Sequence, residues 1–585
     1  MKKEHIIKMP NEQKGKRLIG VWDEYGLYIM GAVLGAVCFV AVYGVRILNP
    51  TYDAWLLQGG DTTAHYVGWE FYRMSDWRFP IGLMDRICYP NSVSIIFTDS
   101  IPVFAVLFKL LSPLLPETFQ YFGWWALLCF MLQGAFSANL IYLYLQKPGT
   151  GKKTTRKLCP RFIGGDKAFA LAGSLFFVLT PVLLMKMFMH TALASHWLLT
   201  ASLYYARKYI GFSEKQIMKL SKGQMARWGI LGMLCGSIHI YFIPLCGIIL
   251  SGFLLVRVIR DKKILPSFLT AMSFCAGAVG IVLVLGGLSH DHQWDAGGLG
   301  QFSFNMNGFF NSMGWSRWFP RLSSYGEGFG EGFSYLGVGI FILLLIGVLN
   351  GSWNFFRNFR NSGNRKKFSM SMDVWGYIFI VLICVLLSAS HKFALNGNYV
   401  FEIPYPRKIV SLWGIFRASG RFIWPVIYLI MLWAMAAVRK AVKSNKMAIP
   451  LLLAALAVQN YDIGRLIEVK KDFVGRDTVV SIIQDDGWEQ IAEGKEHIVF
   501  VSPISQNHSI LFSMCQFALA HGMTVNDGYF SHSAAAGDIE KSREESMAEL
   551  SEDTLYIFKE QDKDLCGQYE LEYFLLDGLT VGVLK

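Results

Sequence analysis

The sequence predicts an α-helical polytopic membrane protein of about eleven transmembrane helices that ends in a small C-terminal extracytoplasmic α/β domain. Three observations predict this. Of 585 residues, 53% are hydrophobic, 15% aromatic and only 17% charged, with a mean hydropathy of +0.35, too apolar for an ordinary soluble protein. The apolar residues gather into runs long enough to cross a hydrocarbon core of about 30 Å at about 1.5 Å per residue. The Lys and Arg behind the net charge of +12 fall in short patches between those runs. That is the positive-inside pattern of a membrane protein; a basic stripe on one fold would point to nucleic acid, and none is present. Ten cysteines are scattered without CxxC pairs, so neither a zinc framework nor a disulfide framework is indicated.

The elements follow in order from charge and hydropathy. Residues 1–24 are polar and basic (Lys2, Lys3, Lys8, Lys14, Lys16, Arg17) and are placed in the cytoplasm. The apolar run 25–48 is the first span, too long for a signal-peptide core. Run 101–115 is short, carries Pro102 and Pro113, and reads as a juxtamembrane or re-entrant helix. Run 119–145 becomes the second span because the basic stretch Lys147 to Lys167 follows it. Further spans are expected at 168–186, 188–205, two short helices within 228–256 that turn near His239, 268–288, 335–349, 374–388, 422–438 and 448–458. Basic patches at 207–227, 257–263, 357–367 and 439–446 lie at every second junction. Outer loops are then 49–118 and 289–334 within a transmembrane domain 25–461. Residues 462–585 have ordinary soluble composition, with strand-like runs at 497–501, 554–558 and 573–576 and a charged helix at 540–550.

This topology collects polar residues on the outer side. Asp53, Asp61 and His65 follow the first span, Asp99 precedes the juxtamembrane helix, and His190 and His196 flank the next outer turn. His239 lies at a further turn, Glu327 and Glu331 before the eighth span, and Arg417 and Arg421 before the tenth. Ionisable groups at such depth are costly unless they face water or one another, so an outward-opening polar cavity is predicted. Each residue also has a simpler role open to it. Asp61, in Gly60-Asp61-Thr62, could cap a helix; Asp53 could shape a turn. His190 and His196 project differently if helical, and need not share a ligand. Arg417 and Arg421, four apart, would share a helix face suited to a phosphate, or anchor to lipid head groups. Trp55, Tyr66, Trp69, Trp77 and Trp315 could stack on sugars or form an interfacial belt. In the tail, His508, Asp527 and His532 have no nucleophile or metal motif around them and read as structural or surface residues.

Gly60-Asp61-Thr62 with Phe97-Thr98-Asp99-Ser100-Ile101-Pro102, and His190-Thr191-Ala192-Leu193-Ala194-Ser195-His196-Trp197, occupy the first and second outer turns. With Glu331 to Gly337 and Phe416 to Phe422, this layout resembles the GT-C glycosyltransferases, and more narrowly uncharacterised bacterial GT-C-like membrane proteins. The resemblance implies a GT-C-like fold and transfer of a sugar from a polyprenyl-phosphate donor to a glycan, lipid or protein acceptor. It implies an inverting displacement with Asp61 as general base. Asp53, His65, Asp99, His190, His196, His239, Glu331, Arg417 and Arg421 would bind substrate. It places the protein at the outer face of a bacterial plasma membrane, in contact with membrane lipid and with no nucleic-acid partner. The sequence fixes no cofactor or metal ligand; a divalent cation, Mg or Mn, is the candidate, and the histidines of the second turn depart from the paired acidic motif that many superfamily members carry. A transporter or flippase of lipid-linked saccharide, or a polysaccharide polymerase or ligase, would want a similar cavity. No internal repeat favours the former, and loop 289–334 offers only Arg317 and Arg321 for the latter.

Overall fold

The computed structural model describes residues 10–146, 164–210, 214–289, 299–326, 328–361, 372–479, 481–504, 507–530 and 536–584. The expectations resting on Lys2, Lys3, Lys8, the basic stretch 147–161, Arg365 to Lys367, Glu327 and His532 lie outside the described residues.

The chain is mostly helical. Helix α1 (Pro10–Tyr43) contains the first apolar segment; α2 (Gly60–Met74) and α3 (Pro102–Leu111) are short, and α4 (Phe122–Leu145) follows. Gly31 and Gly35 of α1, one turn apart, lie against the carbonyls of Gly134 and Phe130 in α4. A Cβ at either position would collide with backbone, so small residues here let the helices close to backbone contact. Helices α5 (Gly165–Val178) and α6 (Pro181–Lys186) form one apolar segment interrupted at Thr180. Then come α7 (Trp197–Ile210), α8 (Glu214–Ile238), α9 (Phe242–Asp261), α10 (Ile264–Val284), α11 (Val338–Asn361) and α12 (Met372–Ala389). A hairpin and the amphipathic α13 (Arg407–Gly414) lead to α14 (Trp424–Ala441), α15 (Asn445–Asp462) and α16 (Gly464–Val474).

By length and composition, eight segments among the described residues can cross a membrane, or nine if α15 and α16, bent by 62°, count as one broken span. The sequence predicted about eleven. The difference is physical: α7 has only 14 residues, and α8 carries Glu214, Lys215, Lys219, Lys222 and Arg227. The turn near His239 separates α8 from α9, and run 101–115 is a ten-residue helix, α3.

The tail is a small α/β domain: α17 (Gly487–Ala492), β5 (His497–Phe500), α18 (His508–Ala520), β6 (Thr524–Val525), α19 (Ala536–Ala548), β7 (Thr554–Phe558), β8 (Leu571–Leu576) and β9 (Leu579–Leu584). Strands β1 to β4 belong to two hairpins nearer the N-terminus, Leu83–Met84 with Val93–Ser94 and Lys392–Leu395 with Asn398–Glu402. The tail sheet runs β6-β5-β7-β9-β8, with β6, β5 and β7 parallel. All five residues of β7 are buried, as expected for a strand covered on both faces. The loop after β1 extends this sheet: Ile87 pairs with Val525, Val525 N–H donates to Arg86 O at 2.9 Å, and Tyr89 N–H donates to Val525 O at 3.0 Å. The Tyr89 ring stacks on His497 at 3.9 Å. Backbone pairing therefore ties the tail domain to residues 86–89, in the stretch between α2 and α3.

Candidate functional site

Several breaks in regular structure converge on one cavity of about 220 Å³. Gly59 and Gly60 take positive φ (88° and 70°) just before α2, and Asp61 falls in its first turn. The N-cap of α2 is Gly59, so Asp61 sits inside the first turn and not at the cap position, and it lines the cavity. Asp99 follows a short 3-10 helix with φ of 54°, the left-handed region that Asp tolerates better than most residues. His190 lies in the turn after α6, held to α2 by the Thr62 hydroxyl donating to Phe188 O at 2.8 Å. Lys470 braces the same turn, donating to the carbonyls of Met185 (3.0 Å) and Met187 (2.6 Å). His239 sits at the α8–α9 break, Glu331 in the 3-10 helix Phe329–Gly332, and Arg417 and Arg421 in the connection from α13 to α14.

Two clusters result. In the first, Glu331 accepts from Lys186 Nζ at 2.5 Å, from Arg421 at 2.7 and 3.1 Å, and from His190 Nε2 at 3.0 Å. Burial alone would favour its neutral form, but Lys186, Arg421 and His190 outweigh that and hold its carboxyl well below the usual range. In the second, Asp99 is ringed by imidazoles: His239 Nε2 at 3.2 Å, His65 Nε2 at 3.9 Å and His190 Nδ1 at 4.0 Å. These outweigh its burial and hold it below the carboxylate range. The Tyr241 N–H donates to His239 Nδ1 at 3.2 Å, which assigns the ring proton to Nε2, facing Asp99. Burial lowers the His239 value, with Asp99 opposing. It also lowers His65 to about 4 against the pull of Asp99 and Asp61, so both rings are neutral at pH 7.

Asp61 lies between the clusters, its Oδ2 3.6 Å from His190 Nε2. Its Oδ1 accepts a hydrogen bond of 3.0 Å from Tyr529 of the tail domain. Arg417, over the Phe302 ring at 5.2 Å, has no hydrogen-bond or ion-pair partner among the described residues. It is the cavity's free cation.

The cavity thus joins Asp61, Asp99, His190, His239, Glu331, Arg417 and Arg421, with His65 directly behind Asp99. Two expected residues stand apart. His196 is fully buried, its Nδ1 2.7 Å from the Tyr428 hydroxyl and its ring against Trp424. Asp53 accepts from the Tyr66 hydroxyl at 3.0 Å and anchors α2. Arg417 and Arg421 share no helix face, because α13 ends at Gly414 and a 3-10 helix starts at Ser419; Arg421 is spent on Glu331, and its guanidinium lies 4.4 Å over the Tyr241 ring. Trp55 and Trp69 are buried core residues. Sequence reasoning missed Lys186 and Tyr529. Lys186 was legible as a lone lysine in an apolar run; nothing local marks Tyr529.

An apolar groove leads out of the cavity. A space of about 200 Å³ shares Ile96, Phe97, Ile240 and Ile415 with it. Through Ile243 and Phe416 that space continues into a groove of about 540 Å³ between α9, α10, α12 and α13.

A family described as Domain of unknown function (DUF6311) matches residues 32–464, and the DUF6311 C-terminal domain matches residues 487–584. No curated protein matches the sequence. Among solved structures, the oligosaccharyltransferase of Archaeoglobus fulgidus tethered to an acceptor peptide aligns with 95% of this chain and 73% of its own, at 10% identity and a TM-score of 0.42. The same protein, AglB, with an inhibitory peptide and dolichol-phosphate aligns at 10% identity and 0.42, covering 94% and 73%. Its complex with Zn and sulfate aligns at 12% and 0.41, covering 93% and 71%. Likenesses of this size carry no argument about activity.

Proposed function

The chain belongs to the DUF6311 family, a family of unknown function, and from that premise we propose, on the site alone, a GT-C-type glycosyltransferase acting at the outer face of a bacterial plasma membrane. The observation that supports it best is the sequence Leu412, Trp413, Ile415, Phe416, Arg417. Leu412, Trp413 and Phe416 line the apolar groove, Ile415 lines the space that joins it to the cavity, and Arg417 enters the cavity with no hydrogen-bond or ion-pair partner among the described residues. A polyprenyl chain in the groove brings its phosphate to Arg417 and its sugar to Asp61. Asp61 takes the acceptor's hydroxyl proton, the acceptor oxygen attacks the anomeric carbon with inversion, and the bond from that carbon to the phosphate oxygen breaks. Polyprenyl phosphate leaves, with its developing charge facing Arg417. The acceptor is a hydroxyl of a glycan, lipid or protein.

The His65, Asp99 and His190 donors fit a divalent cation. Their ligand atoms lie within 4.8 Å of one another. Glu331 accepts a hydrogen bond from His190 Nε2–H, which in that tautomer leaves the Nδ1 lone pair buried, without a hydrogen-bond partner among the described residues, and facing Asp99 Oδ2. Two electron-rich atoms so placed call for a cation between them, and a carboxylate on the far nitrogen is the usual support of a metal-bound imidazole. Two imidazoles and one carboxylate favour zinc over Mg or Mn. A bound cation would supply positive charge for the donor phosphate. Full-length protein is expected to carry about one equivalent of zinc by elemental analysis, and His65→Ala less than about a tenth of that; equal metal content in the two would overturn the site.

The reading is tested with purified protein and a panel of undecaprenyl-phosphate sugars. Release of free carrier should require an acceptor, and Arg417→Ala should raise the donor KM about tenfold or more, the worth of a charged hydrogen bond of about 1.5–3 kcal/mol. An unchanged donor KM would remove the phosphate from Arg417.

A further inference from the structure

The tail domain enters the cavity with Tyr529 and Phe530, and the way it does so bears on the acceptor. Resting on the reading of Asp61 as general base, we propose that Tyr529 occupies the acceptor's place. The acceptor enters between Asp61 and the tail sheet, and its hydroxyl replaces that of Tyr529 on Asp61.

The geometry supports this in four steps. Tyr529 O–H donates to Asp61 Oδ1 at 3.0 Å, within the range a base requires of the hydroxyl it will deprotonate. Burial, and then the Asp61 carboxylate, push the phenol above its ordinary value, so Tyr529 stays a donor and cannot serve as the base. The other oxygen of Asp61 faces His190 Nε2 at 3.6 Å, longer than a hydrogen bond, and that nitrogen is engaged by Glu331. Among the described residues Oδ1 is the Asp61 oxygen that already holds a hydroxyl, and Tyr529 supplies it.

The loop that carries Tyr529 is built to present it. Asn526 bonds both ways to the Phe500 backbone, at 2.8 and 3.2 Å. Asp527 accepts from the N–H groups of Ile504 (2.9 Å) and Gly528 (2.7 Å). The Tyr529 ring packs edge-on against His508 at 4.7 Å. This loop leaves the carboxyl end of β6, so the carboxyl edge of the parallel strands β5, β6 and β7 is the edge turned to Asp61. In α/β sheets that edge is where ligands are bound. An acceptor lying along it meets Asp61 at the cost of one hydrogen bond.

The test uses full-length protein in lipid nanodiscs, with a water-soluble carbodiimide and glycine methyl ester as the probe of Asp61, read by peptide mass spectrometry. Tyr529→Phe keeps the ring and its packing, and should raise the modification rate of Asp61 about tenfold, the worth of one hydrogen bond to a charged group. The rate at Asp53, held by Tyr66, should not change. Tyr529→Ala should raise the Asp61 rate at least as much. Unchanged rates in both variants overturn the proposal. With water as the only acceptor, carrier release from whichever undecaprenyl-phosphate sugar is turned over should also rise about tenfold in Tyr529→Phe. A fall instead would make Tyr529 a positioning residue and overturn its place-holding role. The labelling needs no turnover, so the two readings fail separately. Full transfer by Asp61→Asn sinks the base, whereas an inactive Asp61→Asn with unmoved Tyr529 variants sinks only the place-holder.

Discussion

Asp61→Asn is expected to lower transfer by about 10²–10⁴-fold, the usual contribution of a general base, with membrane insertion and melting temperature unchanged. Asn keeps the size of Asp and its carbonyl oxygen still accepts from Tyr529, so the contact that ties α2 to the tail domain is retained. What is lost is the capacity to hold a proton taken from the acceptor. The check is the rate of carrier release under single-turnover conditions, where a rate within about tenfold of wild type would remove Asp61 from the chemistry.

Glu331→Gln is expected to be the most destabilising single change in the cavity. Glu331 is the common counter-charge of Lys186, which is fully buried, and of Arg421, which is nearly so. Removing one partner of a buried pair leaves uncompensated charge and costs about 3–5 kcal/mol. The loss should appear as a large drop in melting temperature and in the yield of folded protein, and a variant within about 1 kcal/mol of wild type would contradict it. The pH dependence carries a second signature. Because the folded-state value of Glu331 lies well below its ordinary 4.5, its contribution is fully present above about pH 4.5 and is lost as pH falls through the depressed value. The gap between wild type and variant should therefore be flat from about pH 5 to 8 and narrow only in stronger acid.

Much of the site's composition was readable because membrane depth makes charge conspicuous. Asp99, His190, His239, Glu331, Arg417 and Arg421 stood out as ionisable residues at the ends of apolar runs, and the structure brings all of them to one cavity. The same reasoning could not separate His196 from His190. Both lie in the connection between α6 and α7, yet the 3-10 helix Thr191–Ala194 sends His196 into the core against Trp424 and Tyr428. It also paired Arg417 with Arg421 by helical spacing, which fails because the backbone between them is not helical. The span count came out high for a related reason: hydropathy registers an apolar run such as 188–205 without registering that its helix starts only at Trp197 and ends within 14 residues.

Sequence by itself determined that this is a membrane-embedded helical protein with a small α/β tail, and that its polar residues gather at the ends of its apolar runs. Both follow from local chemistry, since each residue's transfer cost from water is its own. Which residues share a cavity, which carboxylate answers which cation, and that a tyrosine 468 positions away closes over Asp61 were decided only by the tertiary structure. Those facts are distances between segments remote in the chain. They are set by how glycine-lined helices close on one another and by the bridge of Ile87 to Val525 of the tail sheet, which no local pattern encodes.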